Sequence, residues 1–288
     1  MPNVCPIDTN RMRSYSSAFS RRTIMDIIRF NDFEHLSWVY NNYDNGTARA
    51  NSYLDYLKLM YRDLVSNYRC EYVYKNEIIK ELLVEYGTKN TAVFNEFKVG
   101  NSIADLAFFN GESKAFEIKT DLDSPKRLGK QIADYQRIFD KCYIVIPNAK
   151  YEQYCNVASP KIGIITLSKQ GRGIILEEKR PAIKNDTIDV DMLINVLRTD
   201  EYKRLITEEY GYLPNIPGYN LYGACLELML NIPDQKLKSF FCNTIKKRKN
   251  NTTLLKSTPS ELRQLCLSLG LDKRGLETLI LRLNTQIN

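Results

Sequence analysis

Three polar residues, Asp105, Glu117 and Lys119, interrupt two otherwise largely apolar runs in the middle of the chain, at 103–109 and 114–120. Glu117 and Lys119 are two residues apart, so in a strand their side chains project from the same face, roughly 7 Å apart. Carboxylate oxygens bind hard divalent cations, and an ammonium group can stabilise negative charge that develops on a phosphate. These residue types therefore suit metal-dependent hydrolysis of a phosphodiester, provided that Asp105 joins the other two.

The connection between the two runs decides whether Asp105 joins them. A two-residue turn at Asn110 and Gly111 would place Asp105 on the opposite face of the hairpin from Glu117. A three-residue loop, or a bulge, would instead place Asp105 opposite Glu117. We predict the second register, because it brings two carboxylates and an ammonium group together.

This D…ExK pattern, set among small and apolar residues, resembles the catalytic motif of the PD-(D/E)xK nuclease superfamily. In that superfamily the Asp and the Glu bind the metal and the Lys assists at the scissile phosphate. The resemblance implies these roles for Asp105, Glu117 and Lys119, with Mg²⁺ or Mn²⁺ as cofactor and nucleic acid, DNA in the first place, as substrate. The SIADL and EIKT segments also resemble those of a family of bacterial nuclease-like proteins.

A helix is predicted to follow, with Ser124 as N-cap, Pro125 as first helical residue and an end near Asp140. Gln131 and Tyr135 are four residues apart and therefore lie on one face of this helix. Their spacing is similar to the QxxxY motif that follows the ExK strand in the RecB-like branch of the superfamily. The resemblance implies that both residues orient the substrate.

The segments around these motifs are predicted to alternate between helix and strand. A helix at 71–86, a strand at 92–99 and a short apolar strand at 141–147 complete the order helix, three strands, helix, strand. This order is similar to the αβββαβ core of the superfamily, so the predicted fold is α/β and restriction-endonuclease-like, with a mixed sheet.

The first helix of that core often supplies a further carboxylate to the metal site, and this chain offers three candidates. Glu77 and Glu81 lie one turn apart on the helix at 71–86. We prefer Glu77, because Glu81 directly precedes two leucines and could face solvent. Glu96, on the first strand, is the third option, since the phenylalanines on either side would desolvate it.

The rest of the chain is predicted to be largely helical. Residues 1–18 lack a period and are expected to be flexible, whereas 21–43 and 53–65 read as helices, the first broken near Asn31. A hairpin at 161–178 and a linker at 179–187 precede helices at 192–205, 221–230 and 236–247. The predicted domains are an N-terminal helical segment (1–70), the nuclease-like core (71–180), a helical region (188–250) and a C-terminal module (251–288).

The C-terminal module resembles a SAP-like helix-extension-helix, a module that binds DNA; a helical hairpin packed on the body is the alternative. Residues 241–288 contain nine Lys or Arg and three Asp or Glu, so most of the net charge of +7 lies there. The side chains expected to bind nucleic acid are Lys246, Lys247, Arg248, Lys249, Lys273 and Arg274.

The composition of the chain excludes several classes of catalytic and metal site. The chain of 288 residues is 43% hydrophobic and 26% charged, as in soluble globular proteins. His35 is its one histidine, which excludes a Ser-His-Asp triad and multi-histidine metal sites. Seven scattered cysteines without a CxxC favour neither a zinc ribbon, a disulfide framework nor an iron-sulfur cluster. No signal peptide or apolar run of about 18 residues is present, so a cytoplasmic protein without membrane spans is expected.

Two rival interpretations remain open at this point. The chain could be a non-catalytic nucleic-acid-binding protein, or a protein that recruits a partner within a bacterial defence or mobile-element system. The intact D…ExK pattern favours the nuclease, because a protein that only binds would tolerate the loss of Lys119. The sequence leaves open the oligomeric state, a homodimer included, and the choice between DNA and RNA or between internal and terminal cleavage.

Overall fold

The computed structural model describes residues 8–46, 48–121, 123–171 and 173–287. The chain forms two compact units. Unit 1 comprises Met1–Lys89, Leu167–Glu177 and Asn250–Asn288, and unit 2 comprises Asn90–Thr166 and Glu178–Lys249. The boundaries of these units differ from the predicted domain boundaries. The helix at 71–86 groups with the N-terminal helices, and most of the helical region at 188–250 groups with the strands that carry the D…ExK pattern.

The β-structure is one mixed sheet of six strands whose spatial order is β1-β2-β3-β4-β5-β6. The strands are β1 Ala92–Val99, β2 Ser102–Asn110, β3 Glu112–Ile118, β4 Lys141–Pro147, β5 Gly163–Gln170 and β6 Gly173–Arg180. Strands β1, β2 and β3 pair antiparallel, whereas β3 and β4 pair parallel. A parallel pair needs a crossover connection, and the helix predicted after the ExK strand supplies it. The predicted α/β class and mixed sheet are thus confirmed.

Unit 2 surrounds its part of the sheet with six helices: α6 Leu128–Gln136, α7 Tyr151–Val157, α8 Val190–Val196, α9 Thr199–Tyr210, α10 Gly218–Met229 and α11 Asp234–Lys247. Helix α6 packs on β2 and β4, and α11 packs on β2 and β3. The rings of Phe109, Phe139 and Phe241 meet between the sheet and α11, with centroids 5.5–6.0 Å apart. This aromatic contact joins β2 and the segment between α6 and β4 to α11, which explains why parts of both predicted domains form one unit.

Unit 1 is a helical assembly. Its helices are α1 Thr9–Ala18, α2 Arg21–Phe30, α3 Glu34–Val39, α4 Tyr53–Asn67, α5 Glu71–Tyr86, α12 Arg263–Leu269 and α13 Lys273–Leu283. Helix α12 contacts α2 and α5, and α13 contacts α2 and α4. Leu265 and Leu279 are buried at these contacts, which is the arrangement of the alternative, a packed helical hairpin. In the described part of the chain, no helix has both the length and the apolar character needed to cross a bilayer.

Two local predictions need correction, and one helix was not predicted. Residues 9–18, expected to be flexible, form α1, because Asp8 caps the first turn and Met12, Tyr15 and Ala18 are buried at helical spacing; residues 1–7 lie outside the described residues. The helix predicted at 192–205 is broken in two, since Leu197 and the N-cap of α9 adopt extended backbone. Helix α7 was not predicted. Arg172, in the predicted turn between β5 and β6, is also outside the described residues.

Candidate active site

The register between β2 and β3 is the one predicted from the D…ExK pattern. Asn110 pairs with Glu112 around Gly111, and the pairing continues to Leu106 opposite Phe116, so the next position places Asp105 opposite Glu117. Gly111 has φ of +74°, a left-handed conformation that glycine adopts without a steric penalty. A single glycine thus sets the parity that brings the two carboxylates to matching positions.

The sheet is irregular at Asp105 on both sides. The pairs Asn95–Leu106 and Phe97–Ala104 flank it, but Asp105 and Glu96, which face each other across β1 and β2, are not a regular pair. Glu96 has φ of +58°, which costs an L residue about 1–2 kcal/mol. It is exposed, so the prediction that neighbouring aromatic rings desolvate it was wrong.

The Asp105 side chain takes part in the main-chain bonding of the neighbouring strand. Its Oδ2 accepts a hydrogen bond of 2.7 Å from the backbone N–H of Ile118, directly after Glu117. Counted from the hairpin turn, regular pairing between β2 and β3 ends at Leu106, the residue next to Asp105. The carboxylate therefore accepts from this backbone N–H where the regular pairing has ended. The bond holds Asp105 beside the ExK segment.

Glu117 is the centre of the site and is buried, with 3% of its side chain exposed. Its Oε1 accepts hydrogen bonds from Lys119 Nζ at 2.7 Å and from Gln131 Nε2 at 2.6 Å. Its Oε2 lies 2.8 Å from the hydroxyl of Tyr135. Lys119 Nζ also donates to Gln131 Oε1 at 3.1 Å, so these groups form a closed network. Together with Asp105, the structure brings together all five residues predicted as catalytic.

The environment of Glu117 makes its negative charge unfavourable. Burial raises the pKa of its carboxyl above the ordinary value, and the nearby Asp105 raises it further, against the opposing effects of Lys119 and Tyr135. Burial and the proximity of Glu117 also raise the pKa of the Tyr135 phenol. Two carboxylates held close together in a buried place would gain from a cation between them.

The donor set of this site fits one mode of metal binding. Mg²⁺ is commonly held by one or two carboxylates, its other positions being filled by water and substrate phosphates. Asp105 and Glu117 offer such a pair of hard oxygen donors. Among the residues described, no group of three or more His, Cys, Asp or Glu side chains is arranged around a common metal position. The pair has the oxygen donors that Mg²⁺ and Mn²⁺ prefer, and the cofactor stays a prediction.

The preferred third carboxylate, Glu77, is bonded within unit 1. Its Oε1 accepts a hydrogen bond from the Tyr61 hydroxyl at 2.7 Å, and its Oε2 is 3.2 Å from Lys80 Nζ. The side chain is largely buried, whereas that of Glu81 is exposed, as its neighbours in the sequence suggested. The role of Glu77 as a metal ligand stays a prediction.

The loop that joins β3 to α6 is held by a residue that the sequence did not single out. Lys150 Nζ donates to the backbone carbonyl oxygens of Thr120 at 3.1 Å, Asp121 at 2.6 Å and Asp123 at 3.0 Å. Asp123 Oδ2 in turn accepts from the N–H and the hydroxyl of Thr120. This loop begins directly after Lys119 and leads to the helix of Gln131. No local pattern marks Lys150, since its partners lie about 30 residues earlier in the chain.

The predicted nucleic-acid-binding side chains fall into two groups. Lys246, Lys247, Arg248 and Lys249 belong to unit 2, whereas Lys273 and Arg274 are exposed in the first turn of α13 in unit 1. Arg248 is already bonded within unit 2, and its role in binding nucleic acid stays a prediction. Its Nε and Nη2 lie 2.8 and 2.5 Å from the two carboxylate oxygens of Glu201, and Nη2 also donates to the carbonyl of Val196. This bidentate pair is 14% exposed on the arginine side and fixes α11 to α9.

Comparison with known proteins identifies a family model, a curated protein and a solved structure that are similar to this chain. A family model described as "Bacteriophage P4 protein cII" matches residues 65–267. The curated Protein cII of Enterobacteria phage P4 is 26% identical over 187 residues, which cover 62% of this chain and 69% of the relative. A solved structure, the SPO1766 protein of unknown function from Silicibacter pomeroyi, aligns with 48% of this chain and 89% of its own at a TM-score of 0.31 and 14% identity.

The match to the family model extends over far more than half of the 288 residues. It includes the strands with Asp105 and Glu117, the helix with Gln131 and Tyr135, and all of unit 2. The chain belongs to the family of bacteriophage P4 protein cII.

Proposed function

We propose that this protein is a metal-dependent nuclease of the PD-(D/E)xK superfamily that hydrolyses phosphodiester bonds of nucleic acid, DNA in the first place. The observation that carries the proposal is the buried Glu117, joined to Lys119, Gln131 and Tyr135 by contacts of 2.6–2.8 Å, with Asp105 opposite it. The element order α5-β1-β2-β3-α6-β4 supports the proposal, since it is similar to the restriction-endonuclease-like αβββαβ core.

Each residue of the network has a role in the proposed reaction. When bound, Mg²⁺ lowers the pKa of a coordinated water and polarises the phosphoryl oxygens. Asp105 and Glu117 supply the negative charge that holds the cation. Lys119 is placed to stabilise charge on the phosphate or to orient the attacking water. Gln131 contacts Oε1 of Glu117 and Tyr135 contacts Oε2, so both act as positioning residues for this carboxylate. Their predicted role in orienting the substrate is a second one.

A second candidate function is a protein that binds nucleic acid or a partner without catalysis. One observation favours it: both oxygens of Glu117 already have hydrogen-bond partners in the protein within 2.8 Å, so the network is complete without a metal. In a nuclease, these bonds must rearrange or share the carboxylate with a cation. The two candidates therefore differ in whether divalent metal changes the chemistry of bound nucleic acid.

Cleavage assays separate the candidates. Labelled linear duplex, circular duplex, single-stranded DNA and RNA would be incubated with the purified protein and Mg²⁺, Mn²⁺ or EDTA. The proposal predicts metal-dependent cleavage of at least one substrate and none in EDTA. Binding without cleavage of any substrate under all metal conditions would support the second candidate instead.

A further inference from the structure

A cleft of about 830 Å³ lies in unit 2, and two of its lining residues, Glu96 and Asp134, neighbour members of the candidate active site. Strand β1, the turn between β1 and β2, α6, α8 and the two segments around Arg198 and Lys249 contribute to its walls. Five cationic and three acidic side chains line it: Lys98, Arg137, Arg198, Arg248 and Lys249, and Glu96, Asp134 and Asp191. The D…ExK pattern does not account for this set.

Two of the five cations serve the framework of the cleft. Arg248 is paired with Glu201, and Arg137 lies 2.8 Å from Asp189. Among the acids, Asp134 accepts a hydrogen bond of 2.6 Å from the Ser102 hydroxyl. These bonds hold the walls together and leave other cations for a ligand.

The three remaining cations, Lys98, Arg198 and Lys249, are exposed. In the described ranges of the chain, neither the ammonium group of Lys98 nor that of Lys249 forms an ion pair. The three side chains come from different elements: the edge strand β1, the N-cap of α9 and the segment after α11. A set of cations spread along the walls of a cleft suits a ligand that carries repeated negative charges.

The cleft and the candidate active site share structural elements. Glu96, on the cleft wall, holds the β1 position opposite Asp105 of β2, between the pairs Asn95–Leu106 and Phe97–Ala104. Helix α6 contributes Asp134 to the cleft and, one residue later, Tyr135 to the Glu117 network. A ligand that lies along the cleft would therefore pass beside the two carboxylates.

We propose that this cleft binds the phosphodiester backbone of the nucleic acid next to the scissile bond, through Lys98, Arg198 and Lys249. The inference rests on the proposed function and adds the path of the substrate to it. It places the main contact with nucleic acid in unit 2 rather than at Lys273 and Arg274 of unit 1, and Lys249 is the one exposed member of the predicted basic set that lines the cleft.

The test is binding in EDTA, where metal-dependent cleavage is absent, measured by fluorescence anisotropy with 30-nucleotide single-stranded and duplex DNA over a series of NaCl concentrations. The cleft variant is Lys98→Gln/Arg198→Gln/Lys249→Gln. The matched control, Lys161→Gln/Lys169→Gln/Lys184→Gln, removes the same charge from exposed positions that neither line the cleft nor belong to the predicted nucleic-acid-binding set.

The cleft variant should bind duplex DNA at least tenfold more weakly than the control variant at 0.1 M NaCl. Its log–log salt slope should shrink by about 2.7, since each lost phosphate contact accounts for about 0.9. Equal affinities and slopes for the two variants would overturn the inference. If the cleft variant does not unfold cooperatively, Lys98→Gln alone, at an exposed edge-strand position, should reduce the slope by about 0.9, and an unchanged slope would overturn the inference.

Two further measurements distinguish a nucleotide pocket from a path for the DNA backbone, and failure of the cleft proposal from failure of the nuclease proposal. ATP should bind at least tenfold more weakly than the 30-nucleotide DNA; equal affinity, lost equally in the cleft variant, would identify a nucleotide pocket and overturn the backbone path. Metal-dependent cleavage that requires Asp105 but ignores the cleft substitutions would retain the nuclease and reject the cleft. Cleft-dependent binding without any cleavage would retain the cleft and reject the nuclease.

Discussion

At the scale of single residues, the Tyr135 hydroxyl shows how protonation governs the site. Its oxygen lies 2.6 Å from the carbonyl oxygen of Ile103 and 2.8 Å from Glu117 Oε2, yet a phenol has one proton to donate. Both contacts are good hydrogen bonds at once when Tyr135 donates to Ile103 and a protonated Glu117 donates to Tyr135. The raised pKa of Glu117 favours the same state. A cation at the site would favour the ionised carboxylate instead.

This protonation predicts a pH-dependent stability difference between the wild type and Glu117→Gln. Because the folded state raises the pKa of Glu117 above its ordinary value of 4.5, folded protein holds this proton more tightly than unfolded protein. The contribution of Glu117 to stability is therefore present at low pH and is lost as pH rises through the folded pKa. The free energy of unfolding of Glu117→Gln, which lacks this titration, should increase relative to the wild type over that window.

Urea unfolding of both proteins at a series of pH values, starting below 4.5 and without divalent metal, measures the difference. A difference that stays constant, or that moves in favour of the wild type as pH rises, would show that the folded state does not raise this pKa. The same experiment with added Mg²⁺ should reduce the difference if the cation stabilises the ionised Glu117.

At the scale of elements, the loop between β3 and α6 couples the two halves of the D…ExK–QxxxY pattern. Lys119 is the last of its three charged residues, and the backbone carbonyls that follow it are bonded to Lys150. Lys150 lies just before α7 and thus connects the segment after β4 to the segment after β3. This contact holds the loop that leads to α6, the helix that carries Gln131.

Removal of the Lys150 ammonium should therefore destabilise unit 2. Lys150→Met retains most of the apolar side chain but leaves three carbonyl groups without their charged donor, so the expected loss is about 1.5–3 kcal/mol. Lys130→Met, at an exposed position of α6, is the matched control and should change stability by less than about 0.5 kcal/mol. Chemical denaturation of both variants is the measurement, and equal effects would mean that the three bonds contribute nothing specific.

The same elements show which features of the fold and of the site could be predicted from the sequence. The Asp105–Glu117 register was predictable because strand side chains have a period of two and because one glycine sets the parity of the hairpin. The contacts of Lys150 and Arg248 were not, since each depends on partners far away in the chain. Helix α1 was missed because an aspartate cap and three buried residues at helical spacing are a weak signal in a polar segment. Local periodicity therefore predicted the residues of the candidate site better than the long-range contacts that hold the surrounding loops and helices.

At the scale of the whole molecule, the C-terminal residues are part of the packing of unit 1 rather than a detachable tail. Deletion of residues 246–288 would remove buried leucines along with the surface charges, so it cannot isolate the contribution of the charges to nucleic-acid binding. Substitutions on α13 separate the two effects, because Leu279 is 1% exposed and Leu281 is 76% exposed on the same helix.

Leu279→Ala should destabilise the protein by about 2–5 kcal/mol, since it leaves a cavity among α2, α4 and α13. Leu281→Ala removes the same atoms from an exposed position and should change the free energy of unfolding by less than about 0.5 kcal/mol. Thermal and urea unfolding of the two variants measure both values. A small effect of Leu279→Ala would indicate that the C-terminal hairpin is an independent module.

The most direct test of the nuclease proposal is the single-turnover cleavage rate of Asp105→Asn on the preferred nucleic acid with Mg²⁺. The substitution keeps the size of the side chain and removes the charge that would hold the cation. Glu152→Gln, which removes a charge from an exposed position on α7, is the control. We expect metal-dependent cleavage by the wild type and the control, and a rate reduced by about 10²–10³-fold in Asp105→Asn, with unchanged binding in EDTA. Cleavage by Asp105→Asn at the wild-type rate would contradict the proposed site.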